Sequence, residues 1–312
     1  MTTTRVAAID CGTNSIRLLV ADLDPDTGAI TDRDRRMIIN RLGQGVDKTG
    51  RLHPDALERT FAACREYAEV IAEHGVTPDR IRMVATSASR DAENAAEFTD
   101  GVREILGVTP SVVSGDEEAH LSFTGATKEL LGGPAKPPYL VFDLGGGSTE
   151  FVLGGEDVQA ARSVDIGCVR LTERHFAGSE RPTQDQIAAA QADINAALDR
   201  AAEAVPLDGD ATLVGLAGTV TTVAGIVLDL PEYRSERIHH ARLTVDQVRE
   251  VTARLLTASH DERAAIPVMH PGRADVIAAG SLVLLEIMER TGALEVLVSE
   301  HDILDGIAWS ID

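Results

Sequence analysis

One pattern occurs twice in this chain and limits what it can fold into. AAIDCGTNSIRLLVADL (7–23) and LVFDLGGGSTEFVLGGE (140–156) both read as strand, Asp-x-Gly, two small residues, Ser, strand. Asp10 and Asp143 hold equivalent places, each ending an apolar run at a small-residue turn. Two halves of like topology, each opening with such a hairpin, predict an α/β protein with its ligand in a cleft between the halves. At 312 residues the chain is long enough for two domains with separate cores.

The intervening pattern fits alternating strands and helices. After a strand over 6–9 and another over 16–23, DPDTG (24–28) signals a hairpin. Apolar residues at Leu57, Phe61, Cys64, Ala68 and Ile71 recur at helical spacing between Pro54 and Gly75, a helix with one buried face. A strand over 81–85, a helix over 92–106, a short strand at 112–113 and a helix over 116–131 complete the first half. GGPAKPP (132–138) reads as a turn and linker, after which the pattern restarts. Strands are expected at 139–142, 151–153, 212–216 and 296–298. Helices are expected over 183–204, from about 219, over 245–256 and 273–290, and at the end of the chain.

The two turns have a chemical reading. Glycines let backbone N–H groups converge on an anion with no Cβ in the way, and Thr13, Asn14, Ser15, Ser148 and Thr149 add side-chain donors. Carboxylates repel phosphate, so Asp10 and Asp143 make sense as ligands of a hard cation such as Mg2+ that phosphate oxygens complete. Taken alone, either turn is an ordinary hairpin; a matching pair favours the ligand reading. A third small-residue turn, GLAGTVTT, puts Gly218 and Thr219 at a helix start, where helix capping and anion binding are equally open. In SGDEEAH (114–120), Glu117 and Glu118 lie about 100° apart on a helix, so only one can face a site. Left to themselves they are ordinary N-terminal acids.

Several classes are excluded. LGQGVDKTG fails as a P-loop because Asp47 stands where the second glycine belongs, and no GxGxxG opens a helix after a strand. A net charge of −21 argues against nucleic acid as a partner, and a polyanionic ligand would need local cations to overcome it. No apolar stretch is long enough to span a membrane, and MTTTRVAAID lacks the marks of a secretory signal, so neither a membrane nor export is expected. Cys11, Cys64 and Cys168 show no CxxC pairing, which suits reduced thiols in a cytoplasmic protein and no structural zinc. Cys11 reads as a small buried thiol rather than a redox sensor.

Taken together, the motifs resemble a known family. AAIDCGTNSIRLLV, ATSASRDAEN, VVSGDEEAHLSFTGA, LVFDLGGGSTEFVL, IGCVRLTERHF, GLAGTVTT and PGRADVIAAG occur in the order seen in the exopolyphosphatase/guanosine pentaphosphate phosphohydrolase family, across residues 5–309. The resemblance implies the actin/sugar-kinase/Hsp70 superfold: an actin-like (ribonuclease H-like) domain of residues 1–122 plus 299–312 and a second of residues 123–298. It implies that Glu118 activates the attacking water, with Asp143 and Glu150 positioning metal and water and Asp10 in a metal or water role. Gly145, Gly146, Gly147 and Ser148 match one phosphate loop; Thr13, Asn14, Ser15 and Arg17 match the other. Arg90 matches a basic residue holding a phosphate, and Gly218 and Thr219 join the phosphate-binding set. Mg2+ is the implied cofactor, with Mn2+ as an alternative and a monovalent cation in support.

The chain departs from the family in places. No C-terminal HD-type domain is expected, and His260-Asp261 and His301-Asp302 read as a helix cap and a loop rather than an HD metal site. VSEHDILDGI carries Asp302 and Leu304 where VSDxGLRxG has glycine and arginine, while Gly306 is kept. The expected activity is Mg2+-dependent release of orthophosphate from the end of polyphosphate, favouring short chains, by a homodimer. The alternatives are removal of the 5′ γ-phosphate of guanosine pentaphosphate, a kinase or an actin-like assembly protein of the same superfold, and a non-catalytic binder of guanosine tetraphosphate.

Overall fold

The computed structural model describes residues 3–24, 29–131 and 135–311. Residues 25–28 of the DPDTG turn and 132–134 of the GGPAKPP segment lie outside them. The chain divides into two compact units, Met1–Gly125 with Ile303–Asp312 and Ala126–Asp302.

Unit 1 is built on a five-stranded sheet of β1 (Thr4–Cys11), β2 (Ser15–Leu23), β3 (Ile30–Ile39), β4 (Ile81–Ala85) and β5 (Ser111–Val112), in the order β3-β2-β1-β4-β5. β1, β2 and β3 pair antiparallel, whereas β4 and β5 add in parallel, so helical crossovers must cover the sheet. Alternate residues of β1 face opposite ways. Ala7, Ile9 and Cys11 pack with the helices Pro54–Glu73 and Ala95–Leu106, and Val6 and Ala8 pack with the terminal helix Ile303–Trp309.

The long helix starts where expected. Pro54 stands at its first position, His53 Nδ1 accepts the Asp55 N–H at 3.2 Å, and Gly75 turns the chain at φ 69° after its end. At Gly306 a Cβ would overlap the Leu121 carbonyl, so the terminal helix and the helix Gly115–Thr127 touch through a glycine. Leu304, standing where the family arginine was expected, is buried in that contact region.

The strand β3 was not legible in ITDRDRRMII because its middle is charged. It is an edge strand, and its arginines are used there: Arg33 pairs with Asp22 and Arg35 with the buried Asp305.

Unit 2 repeats the plan with six strands: β6 (Tyr139–Leu144), β7 (Thr149–Gly154), β8 (Val158–Val164), β9 (Thr212–Leu216), β10 (Arg242–Thr244) and β11 (Glu295–Val298). Their order, β10-β11-β9-β6-β7-β8, is that of unit 1 with one strand added at the far edge. The core lies on the face of Leu140, Phe142, Leu144 and Phe151, under the helices Gln184–Ala202, Ala217–Val227, Val245–Thr257 and Ile277–Thr291. Reciprocal capping boxes, Thr183 with Gln186 and Thr244 with Gln247, fix the starts of the first and third of these helices. The polar edge strand β8 and the irregular helical segment Cys168–Phe176 went unread in the sequence. Among the described residues no helix is long and apolar enough to cross a membrane.

Candidate active site

The two hairpins match bond for bond. Gly12 N donates to Ser15 O at 2.9 Å in the first, and Gly145 N to Ser148 O at 3.0 Å in the second. In register, Asp10 stands opposite Arg17, and Asp143 opposite Glu150.

In the second turn the carbonyls are all turned towards one segment. Gly145 O accepts from Cys168 N (3.1 Å), Gly146 O from Val169 N (2.9 Å) and Arg170 N (3.1 Å), and Gly147 O from Arg170 Nε at 2.7 Å. In a planar trans peptide the next N–H points the opposite way. The N–H groups of Gly146, Gly147 and Ser148 are therefore turned away from the Cys168–Leu171 segment as a set, where they could serve an anion. Gly167 permits this approach, since a Cβ there would overlap the Gly146 carbonyl. None of Gly145, Gly146 and Gly147 has positive φ, so a left-handed turn does not account for these glycines. Thr149 is a structural member, its hydroxyl donating to Ile166 O at 2.8 Å.

The first turn uses the same device. Thr13 O accepts from Gly43 N at 2.8 Å and Asn14 O from Arg41 N at 3.0 Å, which turns the N–H groups of Asn14 and Ser15 away from that side. Thr13 Oγ1 bonds Ser87 Oγ at 2.8 Å and so ties the turn to the helix Ser87–Asp91, which carries Arg90. Arg90 Nη1 donates to Val113 O and to Glu118 Oε2, both at 3.0 Å. Glu118 is buried, while Glu117 is exposed and pairs with Arg82 at 2.9 Å, so the neighbouring glutamates diverge as their helical spacing requires. Arg17 donates from Nε and Nη2 to Asp10 Oδ2, at 3.0 and 2.7 Å. Unit 1 thus brings together Asp10 with Arg17, and Arg90 with Glu118.

Asp143 and Glu150 set the electrostatics of unit 2. They face each other across an antiparallel ladder, 8% and 2% exposed, so two like charges share one side of the sheet away from water. Like charges opposite one another weaken a ladder, and burying each costs more still. Ser163 Oγ donates to Glu150 Oε1 at 2.7 Å. A hard divalent cation fits this oxygen donor set, and Asp143 and Glu150 are the residues that would hold it.

The third turn differs from expectation in detail. The helix Ala217–Val227 does begin at GLAGTVTT, with Ala217 at φ 71°. Gly218 lies under the guanidinium of Arg273, which donates from Nη1 to Gly218 O and Thr222 Oγ1 at 3.2 Å each. The Thr219 side chain packs beside Gly280, near Cys168, while its backbone stands at the helix start. Arg170 and Arg273 went unassigned in the sequence, although IGCVRLTERHF and PGRADVIAAG both carried the signal.

The cysteines are all free and buried. Burial pushes the Cys11 thiol well up and that of Cys168 up to about 11, which leaves both protonated and unreactive at neutral pH. His260 and Asp261 open the helix His260–Ala264, capped by Ser259, and His301 and Asp302 lie in the loop before the terminal helix.

Against known proteins, the model of the Ppx/GppA phosphatase family matches residues 20–311. The chain belongs to the Ppx/GppA phosphatase family. Exopolyphosphatase 2 of Mycobacterium tuberculosis is 47% identical to it over 322 aligned positions, covering 100% of this chain and 99% of that protein. Among solved structures, an exopolyphosphatase-like protein is 42% identical with a TM-score of 0.94, covering 99% of this chain and 98% of that one. The Ppx/GppA member from Aquifex aeolicus is 30% identical with a TM-score of 0.80, covering 99% and 97%. The Ppx/GppA match fits the repeated sheet order and accounts for two actin-like units in one chain.

Proposed function

We propose that this member of the Ppx/GppA family is an exopolyphosphatase, with Mg2+ as its ion and inorganic polyphosphate as its substrate. What carries the reading is the set of three successive amides, Gly146, Gly147 and Ser148, turned one way at the end of the strand pair that bears Asp143 and Glu150. Full-length similarity to exopolyphosphatase 2 supports the same substrate class.

The chain's residues divide the work of phosphoanhydride hydrolysis. The amides of residues 146–148 and the Ser148 hydroxyl hold the terminal phosphoryl oxygens and stabilise charge as it builds up. Glu118 takes a proton from the attacking water as the water oxygen bonds to phosphorus. The bridging P–O bond breaks, and the shortened polyphosphate leaves with that electron pair. Arg90 and Arg17, held by Glu118 and Asp10, take phosphate oxygens as bidentate partners when substrate arrives. Asp143 and Glu150 would hold Mg2+, which would add charge neutralisation in a chain of net charge −21, and Asp10 would serve in a metal or water role. The buried free thiols suit a reducing cytoplasm.

The test is phosphate release with Mg2+ from short polyphosphate, long polyphosphate, guanosine pentaphosphate and ATP in parallel. Polyphosphate is expected to be turned over best, and release to vanish in excess EDTA. Faster release from guanosine pentaphosphate would reassign the substrate, and full turnover in EDTA would remove the metal.

A further inference from the structure

Three side chains that the phosphate chemistry does not use converge in unit 2. Glu129 Oε2 lies 3.3 Å from His239 Nε2 and 3.2 Å from His301 Nδ1. The candidate ligand atoms of the three residues all fall within 4.8 Å of one another. We propose that Glu129, His239 and His301 form a binding site for a borderline transition-metal ion of the Zn2+ class, distinct in its residues and its chemistry from the Mg2+ carboxylates.

The spacing fits such an ion. Around a tetrahedral Zn2+ with ligands at about 2.0–2.2 Å, neighbouring ligand atoms lie about 3.3–3.5 Å apart. Both distances from the shared carboxylate oxygen are close to that edge. Two imidazoles and one carboxylate favour Zn2+, Co2+ or Ni2+ over Mg2+, which demands an oxygen shell. Glu129 is half exposed, which leaves water access to a fourth position.

The groups also look prepared. His301 Nδ1 is buried and makes no hydrogen bond, although the Glu129 carboxylate is near. A cation between the two atoms satisfies both. His240 has φ 63°, a conformation disfavoured for a side chain with a Cβ, and its N–H is fixed to Val298 O at 2.7 Å. That strained placement stacks its ring on His239, centroids 3.7 Å apart, and so sets the plane of the His239 ring.

One feature opposes binding. His239 Nδ1 accepts the Glu300 N–H at 3.1 Å, which puts the ring proton on Nε2, pointed at Glu129. An ion at Nε2 moves that proton to Nδ1 and breaks the hydrogen bond from the Glu300 N–H. The loss of one hydrogen bond is small against coordination of a divalent ion by two imidazoles and a carboxylate.

The position of the ligands gives the site a consequence. Glu129 lies just after the chain enters unit 2 at Ala126, and His301 just before unit 2 ends at Asp302. An ion on these ligands cross-links the first and last residues of unit 2 to the turn after Ile238, so it stabilises that unit against unfolding.

The experiment is a Co2+ titration of the full chain in excess Mg2+, which fills the oxygen sites. The visible bands of imidazole-bound Co2+ should rise to one equivalent, and Zn2+ should displace them. His239→Gln and His301→Asn should each abolish the bands, while Mg2+-dependent phosphate release persists. Zn2+ should raise the thermal midpoint of the parent by several degrees and leave that of His301→Asn unchanged. If a histidine variant fails to fold, the half-exposed Glu129→Gln replaces it and should weaken Co2+ at least about tenfold. Absence of the bands in the parent, or their survival in a folded histidine variant or in Glu129→Gln, overturns the site.

Discussion

Replacing Arg170 probes the proposed nest through the carbonyl that its guanidinium holds. Its Nε donates to Gly147 O at 2.7 Å, and that carbonyl fixes where the Ser148 N–H points. The side chain is 12% exposed, so water replaces the contact poorly. A hydrogen bond from a charged donor is worth about 1.5–3 kcal/mol, which in a unit of this size is a Tm loss of about 3–12 °C. The catalytic effect is separate. Losing one donor at an oxyanion-type site costs about 10²–10³ in rate, and Arg170→Gln loosens one amide of three rather than deleting it. We expect kcat/KM on polyphosphate to fall about 10–100-fold, mostly in kcat, because the amide acts on charge that builds in the transition state. Arg170→Lys keeps the charge but cannot place Nε, and should fall between. The assay is steady-state phosphate release beside a melting curve. If Arg170→Gln loses that much stability yet keeps kcat/KM within about threefold, the guanidinium only holds the fold and the account of the nest is wrong.

Other predictions follow from packing and charge. Gly167→Ala puts a Cβ into the Gly146 carbonyl and should displace the same turn, lowering kcat at least as far as Arg170→Gln; an unchanged kcat would show that the two segments separate freely. Asp22, held by Arg5 and Arg33, has its pKa lowered from 3.8, so its stabilising share is complete above that value and is lost as pH falls through the lower folded value. Asp22→Asn should flatten the acid limb of the Tm–pH curve below about pH 4; an unaltered limb would mean that the ion pairs contribute nothing.

Much of this was legible because its signals are local. The Asp-x-Gly hairpins announce themselves through an apolar run, an aspartate and glycines within ten residues, and Pro54, Gly75, Thr183 and Thr244 mark helix ends by short-range capping chemistry. What went unread depends on distant partners. β3 reads as a charged loop until Asp22 and Asp305 are seen to neutralise its arginines. Arg170 is an ordinary helical arginine until the Gly147 carbonyl lies against it. His239 and His301 carry no metal-ligand spacing along the chain, and only the fold adds Glu129 between them.

The central claim is that Glu118 activates the water. Its carboxylate is buried and held at 3.0 Å by Arg90, so Glu118→Gln keeps the shape and one oxygen acceptor while removing the base. The decisive measurement is kcat for polyphosphate hydrolysis at saturating Mg2+, parent against Glu118→Gln. A general base contributes about 10²–10⁴, so we predict a fall of at least about 100-fold in kcat with little change in KM. A variant that keeps its kcat within a few-fold of the parent would contradict the mechanism.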